Sequence, residues 1–153
     1  MTPRRRTVLY AYVADEAGGT LSLVFVDGNG RAHQLVTLTP VGARTACERA
    51  LRGIVYALWN ARTLGYRRVV VHSDHPEAVA QINGDCRLDP SLIGPYLEAR
   101  ALMHAYRWAR IKVGEIRWQQ LGARPAQQQQ LSVLGQRTDE PTPVPLAVSV
   151  GSR

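Results

Sequence analysis

Val69-Val70-Val71-His72-Ser73-Asp74-His75-Pro76 is the stretch on which the fold turns. Three successive β-branched residues suit a strand buried on both faces, as in a parallel sheet covered by helices. The polar His72-Ser73-Asp74-His75 end of that strand leads into Pro76, a residue well placed at the first position of a helix. Upstream, Thr45 is a helix N-cap with Glu48 three residues on as its capping-box partner. Ala50, Leu51, Ile54, Ala57, Leu58, Ala61 and Leu64 then recur at spacings of three and four, and Gly65 ends the helix. A helix followed by a buried strand is half of a parallel crossover, so an earlier strand must lie beside Val69–Val71.

That partner is found in the first forty residues, which read as three strands. Thr7–Ala14 is broken by Asp15-Glu16-Ala17-Gly18-Gly19, Leu21–Val26 resumes, and Asp27-Gly28-Asn29-Gly30 is a hairpin turn before His33–Leu38. Downstream, a short helix over Pro76–Ile82 stops at Asn83-Gly84. A longer helix starts near Pro90, with Leu92, Tyr96, Ala99, Met103 and Tyr106 as its buried stripe. Ile111–Trp118 is the next strand, interrupted by Gly114, and Pro125–Leu134 is a last helix carrying four glutamines. The result is an α/β domain over residues 1–134: a mixed five-stranded sheet, antiparallel meander plus parallel βαβ part, flanked by helices. Residues 135–153, with Pro141, Pro143 and Pro145, read as a flexible Pro-rich C-terminal tail.

Composition narrows the function classes. The chain has 153 residues, enough to bury a core without a metal or disulfide staple. Cys47 and Cys86 lack zinc-finger spacing and form no disulfide framework. No apolar run approaches the ~20 residues of a membrane span, so no membrane partner is expected. Arg4-Arg5-Arg6 before Val8–Ala14 mimics a leader, but Asp15-Glu16 follow at once, and a cytoplasmic strand is the better reading. Nineteen Lys+Arg against twelve Asp+Glu give a net charge of +7, which suits a polyanionic partner. Only Lys112 is a lysine, and the arginine excess equally fits a GC-rich coding bias.

The order β-β-β-α-β-α-α-β-α, the Ser73-Asp74 pair closing the central strand and the Val79…Ile82-Asn83-Gly84 helix resemble the ribonuclease H family over about residues 7–134. The resemblance implies four carboxylates converging on two divalent ions, Mg²⁺ or Mn²⁺, that cleave the RNA of an RNA–DNA hybrid. It implies an Asp in the first strand, a Glu on the first helix, an Asp after the fourth strand and an Asp on the last helix. Only Asp74 matches. The family pattern lays Tyr12, Ala50 and Gln128 on the other three positions, and Arg124 where a His or Asn is common. Tyrosine and glutamine supply no negative charge at neutral pH.

Each acidic residue has a second reading. Asp74 is the one candidate catalytic and metal-binding carboxylate, or simply the cap of the Pro76 helix. Glu48 is a cap, or the missing acid if the helix register shifts; it lies two residues from Ala50, about 200° around a helix of about 3.6 residues per turn. Asp15, Glu16 and Asp27 read as turn residues, and His72, Asp74 and His75 as at most a weak metal cluster, since His75 alternates away. Arg100, His104 and Arg107 recur at helical spacing, with Trp108, Arg110, Lys112, Arg117 and Arg124 close behind. They are a nucleic-acid-binding set or a solvated helix face.

Three functional expectations follow. The leading one is a ribonuclease H-like domain that has lost its nuclease centre, needs no cofactor and serves as a nucleic-acid-binding or assembly module. The second is an active Mg²⁺- or Mn²⁺-dependent ribonuclease H on hybrids, its site rebuilt from Glu48, Asp74 and Asp15 or another acid. The third is a protein–protein scaffold, such as a homodimer, indifferent to nucleic acid.

Overall fold

A computed structural model describes residues 7–115, 129–131 and 148–150. Its strands are β1 (Val8–Asp15), β2 (Leu21–Val26), β3 (Ala32–Leu38), β4 (Arg68–Ser73) and β5 (Trp108–Val113), with two short additions, β6 (Gln129–Leu131) and β7 (Val148–Val150). The helices are α1 (Ala46–Thr63), α2 (Pro76–Asn83) and α3 (Ile93–His104). The sheet order is β5-β4-β1-β2-β3-β6-β7. β1, β2 and β3 form the antiparallel meander; β4 runs parallel to β1, and β5 parallel to β4.

Alternation along β1 decides which face is the core. Leu9, Ala11 and Val13 are buried under α1, whereas Tyr10 and Tyr12 face the opposite side with Val24, Val26 and Leu35. α1 delivers Leu51, Ile54 and Leu58 to the first face, all fully buried, and these fill the space above β1, β2 and β4. The helix lies close because Gly53 has no side chain: a Cβ there would stand 2.6 Å from Val13 Cγ1 and 2.8 Å from Leu21 Cδ1. Thr45 caps its start as expected, Oγ1 accepting from the Glu48 N–H at 3.0 Å, while Glu48 reaches one residue further back than a capping box requires, its Oε1 accepting from the Arg44 N–H at 3.1 Å. Asp27 Oδ1 accepts from the Asn29 and Arg31 N–H groups, so that aspartate is the turn residue expected.

Three boundaries differ from the sequence-based expectation. The last core strand is Trp108–Val113, not Ile111–Trp118: α3 stops at His104, and Trp108, Arg110 and Lys112 alternate with Ala109, Ile111 and Val113 along an extended chain. Residues 129–131, expected in a helix, pair parallel to β3 as β6. Residues 148–150, expected in the tail, pair with β6 as β7, so the five-stranded sheet is extended at its β3 edge. The remainder of the expected last helix and tail lies outside the described residues. Among the described residues no helix is long and apolar enough to cross a membrane.

Substituting Gly53→Ala should destabilise the domain by about 1–3 kcal/mol, the cost of overpacking a close helix–strand contact. Gly94→Ala, where a new Cβ meets nothing within 4 Å, should change stability by less than about 1 kcal/mol. Urea unfolding of the two variants checks this, and equal midpoints would show that α1 does not depend on Gly53.

Candidate carboxylate site and basic edge

The parallel ladder between β1 and β4 ends at Val13 opposite Ser73, and the next residues carry the site. The Asp74 N–H donates to the Val13 carbonyl at 3.2 Å, continuing the ladder by one bond. The Asp15 N–H in turn donates to Asp74 Oδ2 at 3.0 Å. Two aspartates therefore stand side by side at the carboxyl ends of adjacent parallel strands, where ligands of such sheets are commonly received. Burial raises the Asp74 carboxyl above its ordinary value, and the neighbouring Asp15 charge pushes the same way.

The third group at this site is a cation. Arg49, in the first turns of α1, reaches across so that its Nη2 lies 3.4 Å from Asp15 Oδ2. Asp15 Oδ1 and Arg49 Nε are both buried without a hydrogen-bond partner. The pair is thus close but incompletely satisfied. Ala50, expected from the family pattern at the glutamate position, is 2% exposed and belongs to the apolar core. Glu48 turns elsewhere: its Oε2 accepts from Arg52 Nη2 at 2.9 Å and Nε at 3.1 Å. Burial works against the Glu48 charge, but the Arg44 N–H and the Arg52 guanidinium outweigh it and hold the carboxyl below its ordinary value.

Four expectations are corrected by these positions. Asp15, read as a turn residue, ends β1 beside Asp74; the strand runs one residue further than Ala14. Tyr12 does not stand at the Asp74 site but lies on the opposite face, its ring stacked on His72 at 4.8 Å and 9°. Asp74 is not the cap of α2, because His75 is: its Nδ1 accepts from the Ala78 N–H at 3.2 Å. Glu48 does not fill the place of the missing acid, since it pairs with Arg52 and the helical residue that meets Asp15 is Arg49. Gln128, Arg117 and Arg124 lie outside the described residues. The signal that could have found Asp15 is the β1 alternation itself, which places residues 9, 11, 13 and 15 on one face.

The cationic candidates divide between two places. Arg100 donates from Nη1 to the Ile82 carbonyl at 3.4 Å at the end of α2, away from the others. Arg107 does not share a helix face with it, because α3 ends at His104. It lines a cleft of about 370 Å³ with Arg68, Val8 and Trp108 instead. Trp108, Arg110 and Lys112 project from one face of β5, the edge strand, with the Arg110 guanidinium 5.1 Å over the Trp108 ring. Lys112 stands in register with His72, which stacks on Tyr12, so a basic and aromatic row crosses the end of the sheet.

Sheet order, crossover helix and an aspartate closing the central strand together define a ribonuclease H-like domain. Residues 10–113 match the reverse transcriptase-like family, and the chain belongs to it. Solved structures agree on the fold. Ribonuclease H1 of the halophilic archaeon Halobacterium salinarum superposes with a TM-score of 0.62 at 19% identity, over 75% of this chain and 89% of that one. The N-terminal ribonuclease H domain of a Mycobacterium tuberculosis protein gives 0.58 at 20%, over 74% and 89%. LC11-RNase H1, solved in complex with an RNA/DNA hybrid, gives 0.58 at 14%, over 74% and 87%. No curated protein matches the chain in sequence.

The two-ion centre implied by the fold can be tested against the donor set. Two divalent ions bring four positive charges and require hard oxygen ligands. Asp15 and Asp74 supply two negative charges, Arg49 adds a positive one, and Ala50 offers no ligand. The described residues do not fit a pair of ions, and no metal-dependent step is derived from them.

His72 makes the pH response of this end testable. Burial, then the Lys112 charge, lowers its value below the ordinary 6.5, so the fold favours the neutral ring. The stability it contributes is present above about 6.5 and is lost as pH falls through the lowered value. Asp74 has the opposite sign: its raised value favours the protonated form, whose contribution is lost as pH rises through that value. The melting temperature should therefore fall between neutral pH and about 5, and His72→Phe should flatten that slope while keeping the stack on Tyr12. An unchanged slope would assign the acid response to another group.

Proposed function

We propose that this domain binds nucleic acid through its β5 edge and does not cleave it. One observation carries the second half: where the resemblance implies acids from four elements, the described residues have Asp15 beside Asp74, Ala50 in the core and Arg49 on Asp15. The arginine neutralises one carboxylate without providing an acceptor for a metal or a proton from water. Support for binding comes from the net charge of +7 and from Trp108, Arg110, Lys112 and Arg107 on one edge of the sheet. Cations on an edge strand engage phosphates, and the half-buried Trp108 indole offers a stacking surface beside them. A structural neighbour was solved with an RNA/DNA hybrid, which makes that duplex the first ligand to try.

A second reading keeps the enzyme. The adjacency of Asp15 and Asp74 is what a single Mg²⁺ or Mn²⁺ would use if Arg49 swung away. The two readings part on one experiment with labelled RNA–DNA hybrid, duplex and single-stranded probes. Expected is binding that weakens steeply with salt and intact hybrid after incubation with Mg²⁺ or Mn²⁺. The double variant Arg110→Gln/Lys112→Gln should lower the slope of log affinity against log salt by about 2, one for each phosphate contact removed. Cleavage abolished by Asp74→Asn would establish the enzyme, and no binding even at low ionic strength would remove nucleic acid as the partner.

A further inference from the structure

Beside the carboxylate pair, on the α2 side of it, the structure brings together a donor set of different chemistry. Cys47 in the first turn of α1, His75 at the cap of α2 and Glu77 in the first turn of α2 each offer one ligand atom, and these atoms lie within 4.8 Å of one another. We propose that Cys47, His75 and Glu77 form a zinc site that clamps the start of α2 to the start of α1.

The chemistry of the donors selects the ion. A thiolate and an imidazole beside one carboxylate suit a borderline-soft ion such as Zn²⁺, and a thiolate is a poor ligand for Mg²⁺. Bond lengths of about 2.0–2.3 Å place tetrahedral zinc ligands about 3.5 Å apart, so a separation of at most 4.8 Å needs about an ångström of closure. Glu77 is exposed and can supply most of it by rotating, whereas Cys47 is buried and His75 half-buried on fixed helix starts.

The surroundings also orient the set. Gln81, itself 3% exposed, directs its Nε2 at Cys47 Sγ from 3.7 Å, while its Oε1 accepts from the Asp89 N–H at 3.1 Å. The amide is thereby fixed from both ends and supports the sulfur from behind, as outer residues do around metal thiolates. His75 Nδ1 accepts from the Ala78 N–H as the helix cap, and a metal on either ring nitrogen gives up that one long bond, directly on Nδ1 or by moving the ring proton there from Nε2, in exchange for three metal–ligand bonds. Zinc binding also displaces the thiol proton of Cys47. Three protein ligands leave a fourth position for water.

The inference stands apart from nucleic-acid binding and is tested without it. The full chain, stripped with chelator, is titrated with Co²⁺ and then with Zn²⁺. Expected are one equivalent of Co²⁺, a sulfur-to-cobalt charge-transfer band in the near ultraviolet, and its bleaching by Zn²⁺ with a rise in melting temperature. Cys47→Ser should abolish the band, and Glu77→Gln should weaken Co²⁺ binding by on the order of tenfold or more. His75→Asn should do likewise while leaving a residue able to cap α2, which keeps the test independent of folding. Cys86→Ser should retain the band. Absence of the band at stoichiometric metal overturns the site, as does its loss in Cys86→Ser or an equal zinc stabilisation of Cys47→Ser.

Discussion

The parallel hydrogen-bond ladder between β1 and β4 is the constraint from which the rest of the molecule follows. It runs from Val8 opposite Arg68 to Val13 opposite Ser73, and because it is parallel, both strands finish at the same end of the sheet. The connection between them must then cross the sheet, and α1 is that crossover. Its residues are chosen for contact with the buried side of both strands: Gly53 where Val13 and Leu21 come closest, and Leu51, Ile54 and Leu58 where there is more room. The same register brings Asp15 and Asp74 together past the last paired residues, and it puts Tyr12 and His72 in a stack on the other side. A shift of one residue would exchange those two faces.

Much of this was legible before any coordinates. The Val69–Val71 run marked a doubly covered strand, Thr45 and Glu48 marked the helix start, and Asp27-Gly28-Asn29-Gly30 marked the hairpin, because each is a local signal with a local cause. The end of β1 was harder. Asp15-Glu16-Ala17-Gly18-Gly19 has the composition of a turn, and only pairing with β4 and β2 keeps Asp15 extended. The start of β5 failed for a different reason. Arg100, His104 and Arg107 mimic a helical period, while the alternation that begins at Trp108 is visible only once α3 is known to stop. Cys47 lies 28 positions before His75 and 30 before Glu77, and it meets them only through the packing of α1 on α2, so no spacing motif announces the set.

Charge is distributed along the sheet in a consistent way. The cleft of Arg68, Arg107 and Trp108 lies at the amino ends of β4 and β5, and Lys112 lies near their carboxyl ends. Trp108 and Lys112 are four residues apart along the strand, roughly 13 Å. A polyanion lying along β5 would meet cations over that whole length and arrive near Asp74 at the far end. Arg49 is therefore not one more surface cation: it sits on the acidic end of the track and removes part of the repulsion that two unpartnered carboxylates would present to a phosphate.

The strength of the Asp15–Arg49 contact is not what keeps two metal ions out. Both side chains are about a quarter to a third exposed, and at 3.4 Å with unsatisfied atoms on each partner the pair is of the modest kind that solvent and salt weaken. Ala50 is the stronger obstacle. It faces the apolar core at 2% exposure, and a carboxylate grafted there would be buried among Leu51, Ile54 and their neighbours unless a cation already stood beside it. A metal would stabilise that carboxylate, and the carboxylate would help hold the metal, so neither is favourable alone. Arg49, one residue earlier, is the helix side chain that reaches Asp15, so the aspartate pair meets a cation from α1 rather than a third acid.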